Sequence, residues 1–307
     1  MKTAFFFIDD FIWTLRDVAR QKPASLFDNP YFKMLKQNHD KYGLTVQLNL
    51  FYRTDFFYGE DIFTLSEFPD TYKSEFEANS NWLKLAFHAT QEFPDYPYAN
   101  ADYEDVKIGY NRIINEIKRF AGEKSISNVI IPHWLPISKD GCRALADCGA
   151  KFVSCSVSDN VVEYSNDKDL SLNDMMRLLH NKKPETKLYV RDLGYGNIYK
   201  ALCSHNHLSE EDEKNLRWKN VSMPDPETGI NFKLFSGGPC LNRYTIEQIK
   251  ETLEKLKDHE HVGVGNHEQY YYPDYFNYQP DMPEKIETLA RTLHEYGFTF
   301  ITCEDFK

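Results

Sequence analysis

Two adjacent carboxylates, Asp9 and Asp10, end the apolar run in "FFFIDDF". Like charges this close repel, and partial burial penalises each ionised form. A plain structural strand gains nothing from them. A divalent cation would change the balance by neutralising one carboxylate and leaving the other to take a proton. Further candidates follow other apolar runs: "LKLAFHATQEF" delivers His88 and Glu92, "VIIPHW" delivers His133 and Trp134, and "HVGVGNHE" delivers His267 and Glu268. A hydrolytic metal site needs roughly three protein ligands and an open position. Asp10, His88 and Glu92 could supply them, since i,i+4 spacing brings His88 and Glu92 to one face of a helical turn. Asp9 is then placed to act as base, and His267 as acid on the far side.

Such residues must be gathered by a scaffold, and parallel α/β sheets present their chemistry at the C-terminal ends of strands. Strand-length apolar runs occur at Ala4 to Ile8, Leu44 to Leu50, Leu83 to Phe87, Asn128 to Ile131, Lys151 to Val157, Lys187 to Val190, His261 to Gly265 and Phe298 to Cys303. Between them the patterning predicts helices at Pro30 to Tyr42, Tyr103 to Ala121, Asp140 to Cys148, Ser171 to His180, Thr245 to Asp258 and Pro283 to Tyr296. Ile108, Ile113, Ile114 and Ile117 fall at helical spacing, and Gly43, Gly122, Gly149 and Gly297 sit where C-terminal caps belong. This alternation implies strand, crossover helix, strand units. No linker divides the chain, so residues 1–307 read as one domain, with an inserted hairpin at about 202–241 turning around Glu227, Thr228 and Gly229. The aromatic and acidic stretch Tyr52 to Ser80 reads as a loop over one end of the sheet.

Composition narrows the function. Lys and Arg number 36 against 47 Asp and Glu, a formal charge of -11, which disfavours nucleic acid and anionic membranes as partners. Six scattered cysteines without a C-x-x-C pair read as reduced thiols. The run Ala4 to Ile8 is too short for a signal core, and no run reaches membrane-spanning length. The expectation is a cytoplasmic protein acting on a small molecule or an oligosaccharide.

The order of these motifs resembles the polysaccharide deacetylases of the nodulation-protein type, carbohydrate esterase family four. In that family an apolar strand ends in two aspartates, base then ligand, as Asp9 and Asp10 do. A His with a second ligand His four residues later follows; here His88 is present and Glu92 stands in the second place. A proline-containing segment matches around Pro132 and Trp134 without the usual arginine and with His133 nearby, and a late-strand His matches at His267. The resemblance covers about residues 3–157 and 261–303. It implies a distorted (β/α)7 barrel, a divalent ion such as zinc, and removal of an acyl group from an N- or O-acylated carbohydrate or cleavage of a related C–N bond. Trp134, His133 and Tyr272, from "YYYPDYFNY", would then line the substrate site, with aromatic rings stacking on a sugar face.

Two other readings compete. A barrel that has lost catalysis could bind carbohydrate or regulate, given Glu92 and the missing arginine. Metal-free glycoside chemistry by paired carboxylates would draw on the acid-rich loop at Asp55, Glu60 and Asp61. Taken singly, His205 and His207 read as surface residues, and Lys182 with Lys183 as a solvated face.

Overall fold

Successive residues of a strand point to opposite faces, and in strand β1 (Lys2–Phe11) both faces are apolar. Ala4, Phe6 and Ile8 join the large core with residues such as Leu35, Ile113 and Leu289. Phe5 and Phe7 join a second cluster with Val129, Ile131, Phe152 and Phe235. Burial on both faces is the mark of a parallel strand covered on each side. The computed structural model describes residues 1–54, 61–93, 97–98, 101–135, 137–154, 163–165, 189–191, 210–235 and 237–306.

Strand β1 lies between β2 (Val46–Phe51) and β10 (His261–His267), and β3 (Leu83–Ala89) follows β2; all are parallel. A short strand β11 (Phe298–Phe300) pairs with Lys2, Thr3 and Ala4. A second sheet runs β4 (Val129–Ile130), β5 (Phe152–Ser154), β9 (Asn231–Lys233), again parallel, with β8 (Met223–Pro224) antiparallel to β9. β6 (Glu163–Ser165) and β7 (Tyr189–Arg191) form a separate parallel pair. Within the stretch expected as a hairpin, β8 and β9 form an antiparallel pair, and β9 also pairs with β5 in the second sheet.

Isolated parallel bridges join β3 to the segment before β4, Leu85 to Ile126, and β10 to the segment after β9, Cys240 to Gly265. Beside the second bridge the Gly238 amide donates to the Gly263 carbonyl at 2.7 Å. This approach requires glycine at 263, because a Cβ there would stand 1.7 Å from the Phe235 carbonyl oxygen.

The α-helices among the described residues are α1 (Trp13–Gln21), α2 (Pro30–Tyr42), α3 (Lys73–Ala78), α4 (Tyr103–Phe120), α5 (Lys139–Asp147), α6 (Glu210–Trp218), α7 (Ile246–Leu256) and α8 (Met282–Glu295). The sequence signals for α2 are realised locally: the Asn29 side chain accepts from the Tyr31 and Phe32 amides, Pro30 opens the helix, and Gly43 closes it at φ 71°. In α4 the buried stripe is Val106, Tyr110, Ile113, Ile114, Ile117 and Phe120; Ile108 faces outward, 55% exposed. Each such buried side chain contributes roughly 1.5–3 kcal/mol.

Helix α1 escapes sequence rules because its N-cap, Ile12, makes no side-chain cap bond. The stretch expected as a loop at Tyr52 to Ser80 is instead, where described, partly helical and packed. It contains α3, and Phe68 lies 4.9 Å from Phe120, ring to ring. The predicted helix Ser171 to His180, the ends of the strands expected at Lys151 to Val157 and Lys187 to Val190, Asp55, Glu60, Lys182, Lys183, His205 and His207 lie outside the described residues.

Candidate metal centre

Strict alternation would send Asp9 and Asp10 to opposite faces of β1. Between Ile8 and Phe11 the register against β2 shifts, and Asp10 takes a left-handed conformation at φ 60°. A non-glycine residue held there costs on the order of 1 kcal/mol. The irregularity re-aims the strand end so that both carboxylates approach one imidazole: His88 Nδ1 is 3.9 Å from Asp9 Oδ1, and His88 Nε2 is 3.1 Å from Asp10 Oδ1.

His88, in β3, presents Nδ1 to the Ile131 carbonyl at 2.6 Å. A carbonyl only accepts, so Nδ1 donates there and Nε2 is the nitrogen turned to Asp10. His133, beyond β4, presents Nε2 to the Glu92 carbonyl at 2.9 Å, so its Nδ1 is the nitrogen turned to the centre. These two nitrogens are 3.1 Å apart, and His133 Nδ1 is 3.3 Å from Asp10 Oδ1. Three atoms of the kind that bind metals thus face one another, with both imidazoles held from behind by main-chain carbonyls. A single proton can bridge only two of them. A cation can accept from all three, and tetrahedral ligands about 2.0–2.1 Å from zinc stand about 3.3 Å apart, close to the spacing found. Backbone carbonyls holding ligand imidazoles are the usual outer support of such sites. All three residues are buried.

The third member is therefore His133, and Glu92 is the correction. The i,i+4 argument needs a helical turn after His88, but residues 90–92 form bends. Glu92 turns its carboxylate to Gln269, whose Nε2 donates to Oε2 at 3.3 Å, and serves His133 through its main-chain oxygen. His133, expected to line the substrate site, belongs to the ligand triangle. Tyr272 is not brought to it either: its hydroxyl bonds Thr14 Oγ1 at 2.7 Å and its ring packs 5.2 Å from that of Trp13. Trp134 does stay beside the centre, partly exposed, its ring centroid 5.9 Å from that of His133 and its backbone left-handed at φ 62°.

Asp9 accepts from Asn49 Nδ2 at 2.6 Å, and Asn49 in turn accepts from Gln47. Burial raises the Asp9 carboxyl above its usual range, against the pull of His88, His267 and the Asn49 bond, which makes it a stronger base. Gln47 and Asn49 alternate in an otherwise apolar strand, and that was the legible signal for a polar lining. His267 pairs in register with Asp9, and its Nε2 lies 3.9 Å from Asp10 Oδ2. Burial alone would lower its pKa, but Cys240, Asp10 and Asp9 outweigh that and carry it to about 10. The shift favours the imidazolium form near neutral pH.

Glu268 has a role that its position in sequence hides. Its Oε2 accepts from the amides of Ile12 and Trp13 at 2.7 and 2.8 Å, and its Oε1 from Thr14 at 2.7 Å. The carboxylate caps α1 from the far end of the chain and ties the loop after Asp10 to the strand end carrying His267. Of the acid-rich loop, Asp61 pairs with Arg20 at 3.1 Å and is not among the centre's residues.

No protein-family model matches the chain, and no curated protein does. Among solved structures, a 4-alpha-glucanotransferase from Thermococcus litoralis is similar at a TM-score of 0.53 and 12% identity, covering 98% of this chain and 39% of its own. The likeness is one of fold. This chain spans about two fifths of that protein's length. Other similar structures are family 4 carbohydrate esterases and polysaccharide deacetylases. They include an acetyl xylan esterase from Clostridium thermocellum in complex with cobalt, with a TM-score of 0.46, 11% identity and coverage of 99% and 89%. A polysaccharide deacetylase from Bacillus cereus matches at 0.42 and 10% identity, over 98% and 92%. No helix among the described residues is long and apolar enough to cross a membrane.

Proposed function

We propose that this protein is a metal-dependent hydrolase of the deacetylase type, built on a (β/α)7 barrel, with Asp10, His88 and His133 as the ligands. The observation that carries this reading is the buried triangle of Asp10 Oδ1, His88 Nε2 and His133 Nδ1, 3.1–3.3 Å apart, with both imidazoles held from behind by main-chain carbonyls. The barrel is supported by the two bridges that join β3 to the segment before β4 and β10 to the segment after β9. A barrel of β1, β2, β3, β4, β5, β9 and β10 would close through these two contacts.

A divalent cation, zinc by the character of the donor set, would supply Lewis-acid polarisation of the scissile carbonyl. The chain's own residues do the proton work. Asp9, oriented by Asn49 and raised by burial, takes the proton of the attacking water. His267, held as imidazolium, gives a proton to the leaving amine or alcohol. Trp134 offers a ring beside the ligands, on which the apolar face of a sugar can stack, and this favours an N- or O-acylated mono- or oligosaccharide as substrate. The four described cysteines are free, which favours the reducing cytoplasm.

The test has two arms. Elemental analysis should find about one divalent ion per chain, lost in Asp10→Ala, His88→Ala and His133→Ala. Acetate release should then be measured on N-acetylated chitooligosaccharides and acetylated xylooligosaccharides, with Asp9→Asn expected to abolish it. A protein without metal under several supplements ends this reading; one that holds metal and binds the sugars without turnover is a binding protein instead.

A further inference from the structure

Helix α2 carries an asparagine that the fold alone does not account for. Asn38 sits inside the helix, where asparagine is a weak helix former, and it is 5% exposed. Its Nδ2 donates to the Met34 carbonyl at 2.9 Å. A carbonyl only accepts, so that bond fixes which end of the amide is which. The other end, Oδ1, is buried and has no donor among the described residues. Buried polar atoms are nearly always paired, and leucine would fill the same place in the helix without leaving an acceptor idle.

Asn38 lines a cavity of about 360 Å³ between α2 and α8, within the size range of small-ligand sites. The spacing of Pro30, Met34, Asn38 and Lys41 sets one face of α2 along it, and Tyr271 and Glu284 line it too. None of Asp10, His88, His133 and Trp134 does, so the cavity is separate from the candidate metal centre.

Its polar groups are of both kinds. Lys41 gives Glu287 one bond, Nζ to Oε1 at 3.2 Å, and keeps further N–H groups for an acceptor. Glu284, exposed in the first turn of α8, and Asn38 Oδ1 can each take a donor. Pro30, Met34 and the partly exposed ring of Tyr271 supply apolar surface. A simple ion would match only one of these features. A sugar matches all of them, because each hydroxyl both donates and accepts while the C–H face of the ring packs on an aromatic or apolar surface.

We propose that this cavity is a second sugar site, apart from the metal centre, holding one sugar ring with a hydroxyl that donates to Asn38 Oδ1. It needs neither metal nor turnover, so it stands or falls separately from the hydrolase reading.

The experiment is carbon–proton NMR of the whole chain labelled with 13C-methyl methionine, six residues in all, with the Met34 signal assigned from Met34→Leu. N-acetylglucosamine, xylose and their tetrasaccharides are titrated in turn, and a saturable shift of Met34 is expected. A response to the monosaccharides points to a free sugar and a response to the tetrasaccharides alone to one unit of a chain; either supports the site. Asn38→Leu should weaken this binding by about 3–10-fold, the worth of one neutral hydrogen bond. Trp134→Ala, which removes the ring at the metal centre, should leave it unchanged. Without sugar, the methyl of Met282, buried at the start of α8, reports the local fold; where Asn38→Leu disturbs it, Glu284→Ala, at an exposed position, takes its place as the deciding variant. The proposal is overturned if no sugar moves Met34, if the deciding variant binds as tightly as the wild type, or if the response disappears in Trp134→Ala. A shift caused by cyclohexylamine and by no sugar overturns it as well.

Discussion

Replacing His133 with leucine gives the sharpest contrast, because sequence spacing points to Glu92 and the structure points to His133. Zinc binding of roughly 10–16 kcal/mol shared over four positions puts each ligand near 3 kcal/mol, or about 100-fold in affinity. Binding to the folded state raises stability by mass action. At zinc 100 times the wild-type Kd the gain is about 2.7 kcal/mol. For 307 residues the unfolding entropy is about 0.64 kcal/mol/K, so zinc should raise Tm by about 4 °C. A His133→Leu protein at the same zinc concentration sits near its own Kd, where the gain is about 0.4 kcal/mol and the shift under about 1 °C. Glu92→Gln leaves the carbonyl that holds His133 and should keep almost the whole shift. The assay is differential scanning calorimetry with and without zinc, so that any effect on the metal-free protein cancels. A shift lost in Glu92→Gln and kept in His133→Leu would refute the assignment of His133.

Glu268→Gln removes a buried carboxylate from three amides and turns an NH2 toward at least one of them. It should cost about 1–3 kcal/mol and lower Tm by about 2–5 °C; an unchanged Tm in thermal denaturation would deny its capping role. Gly263→Ala forces a Cβ against the Phe235 carbonyl and should cost about 3 kcal/mol, read as a lower urea midpoint at constant m-value. His261 is buried at the opposite end of β10, with Nδ1 2.9 Å from Thr3 Oγ1, and burial followed by the Lys233 charge holds its imidazole well below 6.5. The folded ring is neutral while the unfolded one charges below about pH 6.5. Its contribution is therefore present above that pH and lost as pH falls toward the folded pKa, by up to about 1.4 kcal/mol per unit. His261→Leu should remove this part of the slope when urea unfolding of both proteins is followed from pH 7.5 to 5; parallel curves would contradict it.

The sequence by itself determined the parallel α/β character of the fold, because apolar runs, cap residues and terminal glycines are short-range signals that each segment carries alone. It also singled out Asp9, Asp10, His88 and His267 as strand-end candidates, which the structure brings close together, since the ends of parallel strands follow from the direction of the chain. Tertiary structure set the third member of the proposed ligand group. Spacing of four residues is evidence only where the backbone is helical, and bends after His88 hand the position to His133, 45 residues away in the chain. It likewise decided how two neighbouring carboxylates serve one site, through a left-handed Asp10 that no composition rule foretells, and where α1 begins, through a cap supplied by Glu268 from more than 250 residues away. Asn38 belongs to the same class. Its chemistry is that of any asparagine until α8 packs beside α2 and leaves a cavity at its side chain, because cavities and hydrogen-bond partners are fixed by packing and not by order along the chain.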